Sequence, residues 1–147
     1  MFREWLPADG PEVVRLIEEL FEVRLPELQR GPIPPWTGWV AYSGGRLVGC
    51  LLARTFADEM EIGFLGVAAE FRRQGIARRL LEEALRAAER KQLRVVFLEV
   101  RRSNRAAQEL YRRAGFRLVG VRRGYYSGPQ KEDALVFSRL VGSFEKR

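Results

Sequence analysis

Apolar residues recur along this chain at two periods, and the switches between them mark out the elements. Val13, Leu16, Ile17 and Leu20 keep helical spacing behind Asp9, Pro11 and Glu12. The pattern predicts a first helix with Asp9 as its cap and Glu12 three residues on, ending near Phe21 to Arg24. Pro26, Gly31, Pro32, Pro34 and Pro35 then predict a loop-rich stretch carrying Trp36 and Trp39, aromatics that either close over a site or pack. Trp39 to Tyr42, the turn Ser43-Gly44-Gly45-Arg46 and Leu47 to Thr55 read as a β-hairpin. A polar turn at Ala57-Asp58-Glu59 leads into a strand from Met60 to Val67.

The helical period returns with Ile76, Leu80, Leu81, Ala84, Leu85 and Ala88 on one stripe and charges opposite. Arg94 to Val100 is a short apolar strand. Ser103 or Asn104 can cap a further helix in which Ala107, Leu110, Tyr111 and Ala114 share a face, and Gly115 suits its end. Strands near Phe116 to Val121 and Ala134 to Leu140 close the chain, separated by a loop that includes Gly124-Tyr125-Tyr126-Ser127-Gly128-Pro129. Helices alternating with strands predict a mixed α/β (α+β) sheet. With no repeat, linker or low-complexity tract, the 147 residues read as one domain.

Composition narrows the chemistry by what is missing. The chain has no histidine, which excludes histidine bases and histidine metal sites. Its one cysteine, Cys50, cannot form an internal disulfide or a multi-cysteine cage, and within the run Leu47 to Ala53 it reads as a buried small hydrophobe. No metal is expected, and acid–base work falls to carboxylates, tyrosines, lysines or water. No stretch approaches the roughly 18 apolar residues of a membrane span, and MFREWLPADG lacks a secretion-signal layout, so a cytoplasmic protein is expected. The net charge of +7 favours an anionic partner such as a nucleic acid, a ribosomal surface or a polyphosphate cofactor. Only Lys91, Lys131 and Lys146 of the 26 basic residues are lysines. An arginine excess of that kind also arises from genome composition.

Four places can carry chemistry. Arg72, Arg73, Gln74 and Gly75 lie between an apolar strand and a helix start, where free backbone N–H groups and the helix dipole favour phosphate. The bland reading of these arginines is a solvated surface. Glu99 shares a sheet face with Val95 and Phe97, away from Val96, Leu98 and Val100. A carboxylate there is either salt-bridged to an arginine or a general base in a partly dry cleft. Tyr111 is either core or a proton donor. Tyr125 and Tyr126, beside Arg122 and Arg123, either line a binding site or anchor a loop.

Arg72-x-x-Gly75-x-Ala77 matches the R/Q-x-x-G-x-G/A pyrophosphate motif of the GCN5-related N-acetyltransferase (GNAT) superfamily, which this chain resembles. LEVRRSNRAAQELYRRAGF, Leu98 to Phe116, and the following VRRGYYSGPQKEDALVF resemble the bacterial ribosomal-protein alanine N-acetyltransferases within it. The likeness runs from about Leu65 onward, and the N-terminal third shares only the order of its elements. It implies a mixed sheet of about six to seven strands flanked by about four helices. It further implies acetyl-CoA as co-substrate, with strand backbone at Leu65, Gly66 and Val67 toward the pantetheine. Arg72, Arg73, Gln74, Gly75, Ile76, Ala77 and Arg78 would serve the pyrophosphate, and Asn104 would contact the cofactor. Glu99 would be the general base, Tyr111 the general acid, and Tyr125 and Tyr126 would shape a peptide slot. The implied acceptor is a protein N-terminal α-amine, a ribosomal protein above all, acetylated directly in a ternary complex. Lysine side chains or small amines are the alternative acceptors, and a non-catalytic acyl-CoA or RNA-associated module is the alternative class. No RNA-binding signature is present, so direct nucleic-acid binding is not expected.

Overall fold

The computed structural model describes residues 1–129 and 131–145, so Gln130 of the predicted final loop lies outside the described residues. Seven strands form one sheet: β1 (Phe2–Glu4), β2 (Trp36–Ser43), β3 (Arg46–Phe56), β4 (Glu59–Val67), β5 (Val95–Arg101), β6 (Arg117–Tyr126) and β7 (Glu132–Leu140). Their order is β1-β2-β3-β4-β5-β7-β6, with β4 and β5 parallel and every other neighbour antiparallel. Parallel neighbours need a long crossover, and α2 (Ile76–Arg90) provides it. α1 (Gly10–Phe21) and α3 (Arg105–Arg113) complete the regular helices among the described residues.

The mixed sheet agrees with the sequence pattern, but the helix count does not: three α-helices stand where about four were expected. Between Leu25 and Trp36 only a 3₁₀ segment forms, Pro26–Arg30, because prolines there lack the N–H groups a helix needs. β1 was invisible in the sequence, since three residues carry too little periodicity. The hairpin turn is as expected, with Gly44 and Gly45 both at positive φ (57° and 78°), the pair of conformations that matches strand twist. Tyr125 and Tyr126 are a correction. They end β6 rather than occupying a loop, paired to β7 through Tyr126 and Glu132.

Period-two alternation sends successive residues to cores on opposite faces. Val40, Cys50 and Leu52 pack with Val13, Val14, Leu16 and Ile17 of α1. Trp39, Leu51 and Ala53 pack with Leu80, Leu81, Ala84 and Ala88 of α2, and Tyr111 and Phe116 belong to the same cluster. Trp39 is thus a core residue, whereas Trp36 is half-buried, stacked near Phe64 and under the Arg54 guanidinium. Gly63 makes room for it, since a Cβ there would meet the Trp36 ring at 2.8 Å. Cys50 is fully buried, which pushes its thiol up to about 12.

Asp9 does not cap α1. Its carboxylate accepts from Arg3 at 2.7 and 2.8 Å, from the Leu6 N–H at 2.8 Å and from the Tyr42 hydroxyl at 2.7 Å. Glu12 likewise turns to Tyr42 and to the Leu47 N–H, so the predicted capping pair instead ties β1, α1 and the β2–β3 hairpin together.

Candidate active site

β4 and β5 run side by side only from Glu59↔Val95 to Ile62↔Leu98. At the same level the β3–β4 register slips, between Leu52↔Phe64 and Ala53↔Ile62, so Gly63 has no opposite residue. A bulge of this kind bends and twists its strand. Beyond it, β4 continues through Leu65, Gly66 and Val67 still paired to β3, while its β5 side has no ladder. The backbone groups on that side are therefore open to a ligand. The sequence-predicted Leu65–Val67 segment sits at this opening.

Val67 leads through a single 3₁₀ turn, Ala69–Phe71, to the predicted phosphate turn. Gly75 precedes α2 with φ 79°, in the left-handed region, and no side chain caps the helix. Arg73 also adopts positive φ, 64°. Arg72, Arg73, Gln74 and Gly75 are exposed, and Ile76 and Ala77 half-buried. The free N–H groups of the first turn thus face outward without competition. Arg72 is tied back to β4, its Nε donating to the Val67 carbonyl at 3.3 Å. Arg78 pairs with Glu82 at 3.3 Å, whereas Arg73 makes no ion pair among the described residues. An uncapped helix start, a left-handed glycine and a neighbouring strand edge suit a pyrophosphate followed by an extended chain, so the residues present fit acetyl-CoA. Asn104 is already used locally: its Oδ1 accepts from the Ala107 N–H at 3.1 Å and caps α3.

Glu99 is the first residue of β5 past the last β4 rung. Val96, Leu98 and Val100 enter the core beneath α2, and Glu99 lies on the other face, as alternation predicts. Its side chain is 16% exposed. Oε1 accepts from Arg122 Nη1 at 2.7 Å, while Oε2 is buried with no hydrogen-bond partner among the described residues. The salt-bridge reading of Glu99 therefore holds for one oxygen only. An orphan carboxylate oxygen is costly to bury, and Oε2 is the atom here with unused acceptor capacity.

Tyr111 is 7% exposed, with its ring against Phe116 and Phe137. Burial pushes the phenol well above its ordinary value, and Tyr126 adds to the effect. It stays protonated throughout the physiological range. The half-buried Tyr126 is raised first by burial and then by the charge of Glu99. Tyr126 thus lies within electrostatic reach of both Glu99 and Tyr111, although Tyr111 packs in the core beneath α2 and Glu99 lies on the other face. Tyr125 packs edge-on to Tyr126 at 5.1 Å but is half exposed.

Sequence reasoning singled out neither Arg122 nor Arg101 as a partner of Glu99 or of a particular tyrosine ring. Arg122 reaches Glu99 and lies 4.9 Å from the Tyr125 ring centroid. Arg101 sits 4.1 Å over Tyr126 and bonds Glu132. The available signal was strand alternation combined with a correct β5–β7–β6 order, since Arg101, Ala134 and Arg122 share a rung. No cluster of three or more metal-ligating side chains occurs among the described residues, and no helix there is long and apolar enough to cross a membrane.

A seven-stranded mixed sheet that parts at a bulge beside an uncapped glycine-led helix defines a class, and residues 2–116 match a family model described as Acetyltransferase (GNAT) family. The chain belongs to that family. Among characterised relatives it is similar to N-alpha-acetyltransferase RimI of Mycobacterium tuberculosis, 48% identical over 90 residues, covering 58% of this chain and 55% of the relative. It is 33% identical over 95 residues to the [ribosomal protein bS18]-alanine N-acetyltransferase of Escherichia coli, covering 64% of each. The matched stretch thus spans less than two thirds of either relative. The crystal structure of the ribosomal-protein-S18-alanine N-acetyltransferase from Escherichia coli shares the fold with a TM-score of 0.87, covering 97% of this chain and 94% of that one at 23% identity. Arabidopsis thaliana NAA60 in complex with a bisubstrate analogue shares it at 0.81, over 96% and 97% of the two chains and 23% identity.

Proposed function

We propose that this protein is an acetyl-CoA-dependent N-acetyltransferase that acetylates the N-terminal α-amine of a protein, a ribosomal protein in particular, by direct transfer in a ternary complex. One observation carries the reading: a buried carboxylate oxygen without a partner, on the residue where β5 leaves β4, in a fold whose β4 leads on to an uncapped helix N-terminus. The similarity to relatives named for bS18-alanine and N-alpha acetylation supports the choice of acceptor.

When bound, acetyl-CoA supplies an activated thioester. The Arg72–Arg78 turn and the first α2 N–H groups hold its pyrophosphate, and the open edge of Leu65–Val67 takes the extended chain. An α-ammonium has an ordinary pKa near 8 and must lose a proton before it can attack. Glu99 Oε2 takes that proton, directly or through one water. An N–H of the β4 edge is available to a developing oxyanion. Tyr111, kept protonated by burial, donates to the departing thiolate. No covalent acyl-enzyme is needed, in keeping with a thiol as buried as that of Cys50.

The test is incubation with acetyl-CoA and peptides copying ribosomal-protein N-termini, following CoA release and locating the new acetyl group by mass spectrometry. Acetylation of the α-amine is expected. Transfer only to lysines of N-blocked peptides, or no transfer, overturns the reading.

A further inference from the structure

We propose that Arg122 is a resident cation on Glu99, held where the acceptor's ammonium binds and displaced by it, so that Arg122 sets the selectivity of the acceptor side. The inference rests on the function proposed above and concerns the order in which charges occupy that site.

The geometry places Arg122 as a cover. Its side chain is 55% exposed and that of Glu99 16%, so the guanidinium lies on the solvent side of the carboxylate. It bonds Oε1 and leaves Oε2 buried without a hydrogen-bond partner among the described residues. Arg101, the other arginine on this rung, is taken up by Glu132 at 3.2 Å and by the Tyr126 ring. Arg122 is thus the one cation on Glu99 among the described residues. It extends from β6, an edge strand exposed along most of its length, and rests on Tyr125, itself 51% exposed. An arm so mounted can swing aside without disturbing the core.

A guanidinium and an ammonium held together against one shielded carboxylate would leave a positive charge uncompensated. Exchange avoids this, since Glu99 then faces one cation at a time. A planar guanidinium anchored on β6 stops at Oε1, whereas a small primary ammonium can reach Oε2. The closed pair also lowers apparent affinity in proportion to the fraction of enzyme with the site open. Only a ligand that brings its own cation to Oε2 reverses that loss.

The test uses the full chain with CoA bound, and peptides of one ribosomal-protein N-terminal sequence with a free or an acetylated amine. If the pair is closed about nine-tenths of the time, Arg122→Met strengthens free-amine peptide binding about tenfold by calorimetry and lowers the acceptor KM by the same factor. The acetylated peptide gains nothing, Arg122→Lys returns binding toward wild type, and Arg123→Met, which removes the same net charge, leaves it unchanged. Equal gains for both peptides, equal gains in both arginine variants, or weaker binding in Arg122→Met would overturn the inference. Wild-type enzyme that binds as described but transfers no acetyl group would overturn the proposed function and leave the exchange standing.

Discussion

Ile62 and Leu98 form the last rung between β4 and β5, and Glu99 is the next residue along β5. The β3–β4 bulge at Gly63 falls at the level where this ladder stops, and past it the β4 edge has no β5 partner. Replacing Glu99 by Gln keeps shape and the link to β6 but removes the base. Turnover should fall by about 10²- to 10⁴-fold, the usual worth of a positioned base. Acetyl-CoA binding, measured by calorimetry, should stay near wild type. Unchanged turnover would remove Glu99 from this role.

Tyr111 packs through its ring, and its hydroxyl makes no hydrogen bond among the described residues. Tyr111→Phe should therefore melt close to the wild-type temperature while turnover drops by about 10²-fold. A thioester analogue with a more acidic leaving thiol should recover part of the loss. Equal losses on both substrates would assign Tyr111 to packing alone.

Gly75 needs its left-handed φ, and a Cβ there would meet nothing within 4 Å. The cost of Gly75→Ala is thus torsional, about 1–2 kcal/mol. A turn that relaxes to escape it misplaces the α2 N–H groups, and acetyl-CoA should bind about 5- to 30-fold more weakly. Titration with acetyl-CoA and with the nucleotide fragment 3′-AMP, which lacks the 5′-pyrophosphate, checks this. Only the former should weaken.

The Arg3 hydrogen bond, against the opposing cost of burial, holds the Asp9 carboxyl at about 2, below its ordinary 3.8. The folded value is below the unfolded one, so the stabilisation is fully present above about pH 4 and fades as pH falls toward about 2. The shift corresponds to about 2 kcal/mol at neutral pH. Urea melts of Asp9→Asn should show that loss at pH 7 and a shallower acid dependence between about pH 4 and pH 2 than wild type. Parallel acid limbs would contradict it.

The hydrophobic periods determined most of the strands and all three helices, because those elements bury one face and their residues must repeat accordingly. The arginine–glycine turn was legible for the same local reason: Arg72 to Ala77 are contiguous, and a helix start needs no distant partner. Alternation alone also fixed the face of Glu99. The tertiary structure decided what lies beside these residues. Asp9 has the sequence of a cap, yet Arg3 and Tyr42 claim it because β1 and the hairpin meet there. Tyr125 and Tyr126 belong to a strand because β7 offers its edge. Arg122 reaches Glu99 from 23 residues away only because β7 lies between their strands and brings β6 within a side chain's length. Periodicity records which face a residue takes, and strand order sets which charges meet across that face. That meeting determines whether Glu99 is paired through both oxygens or keeps one without a partner.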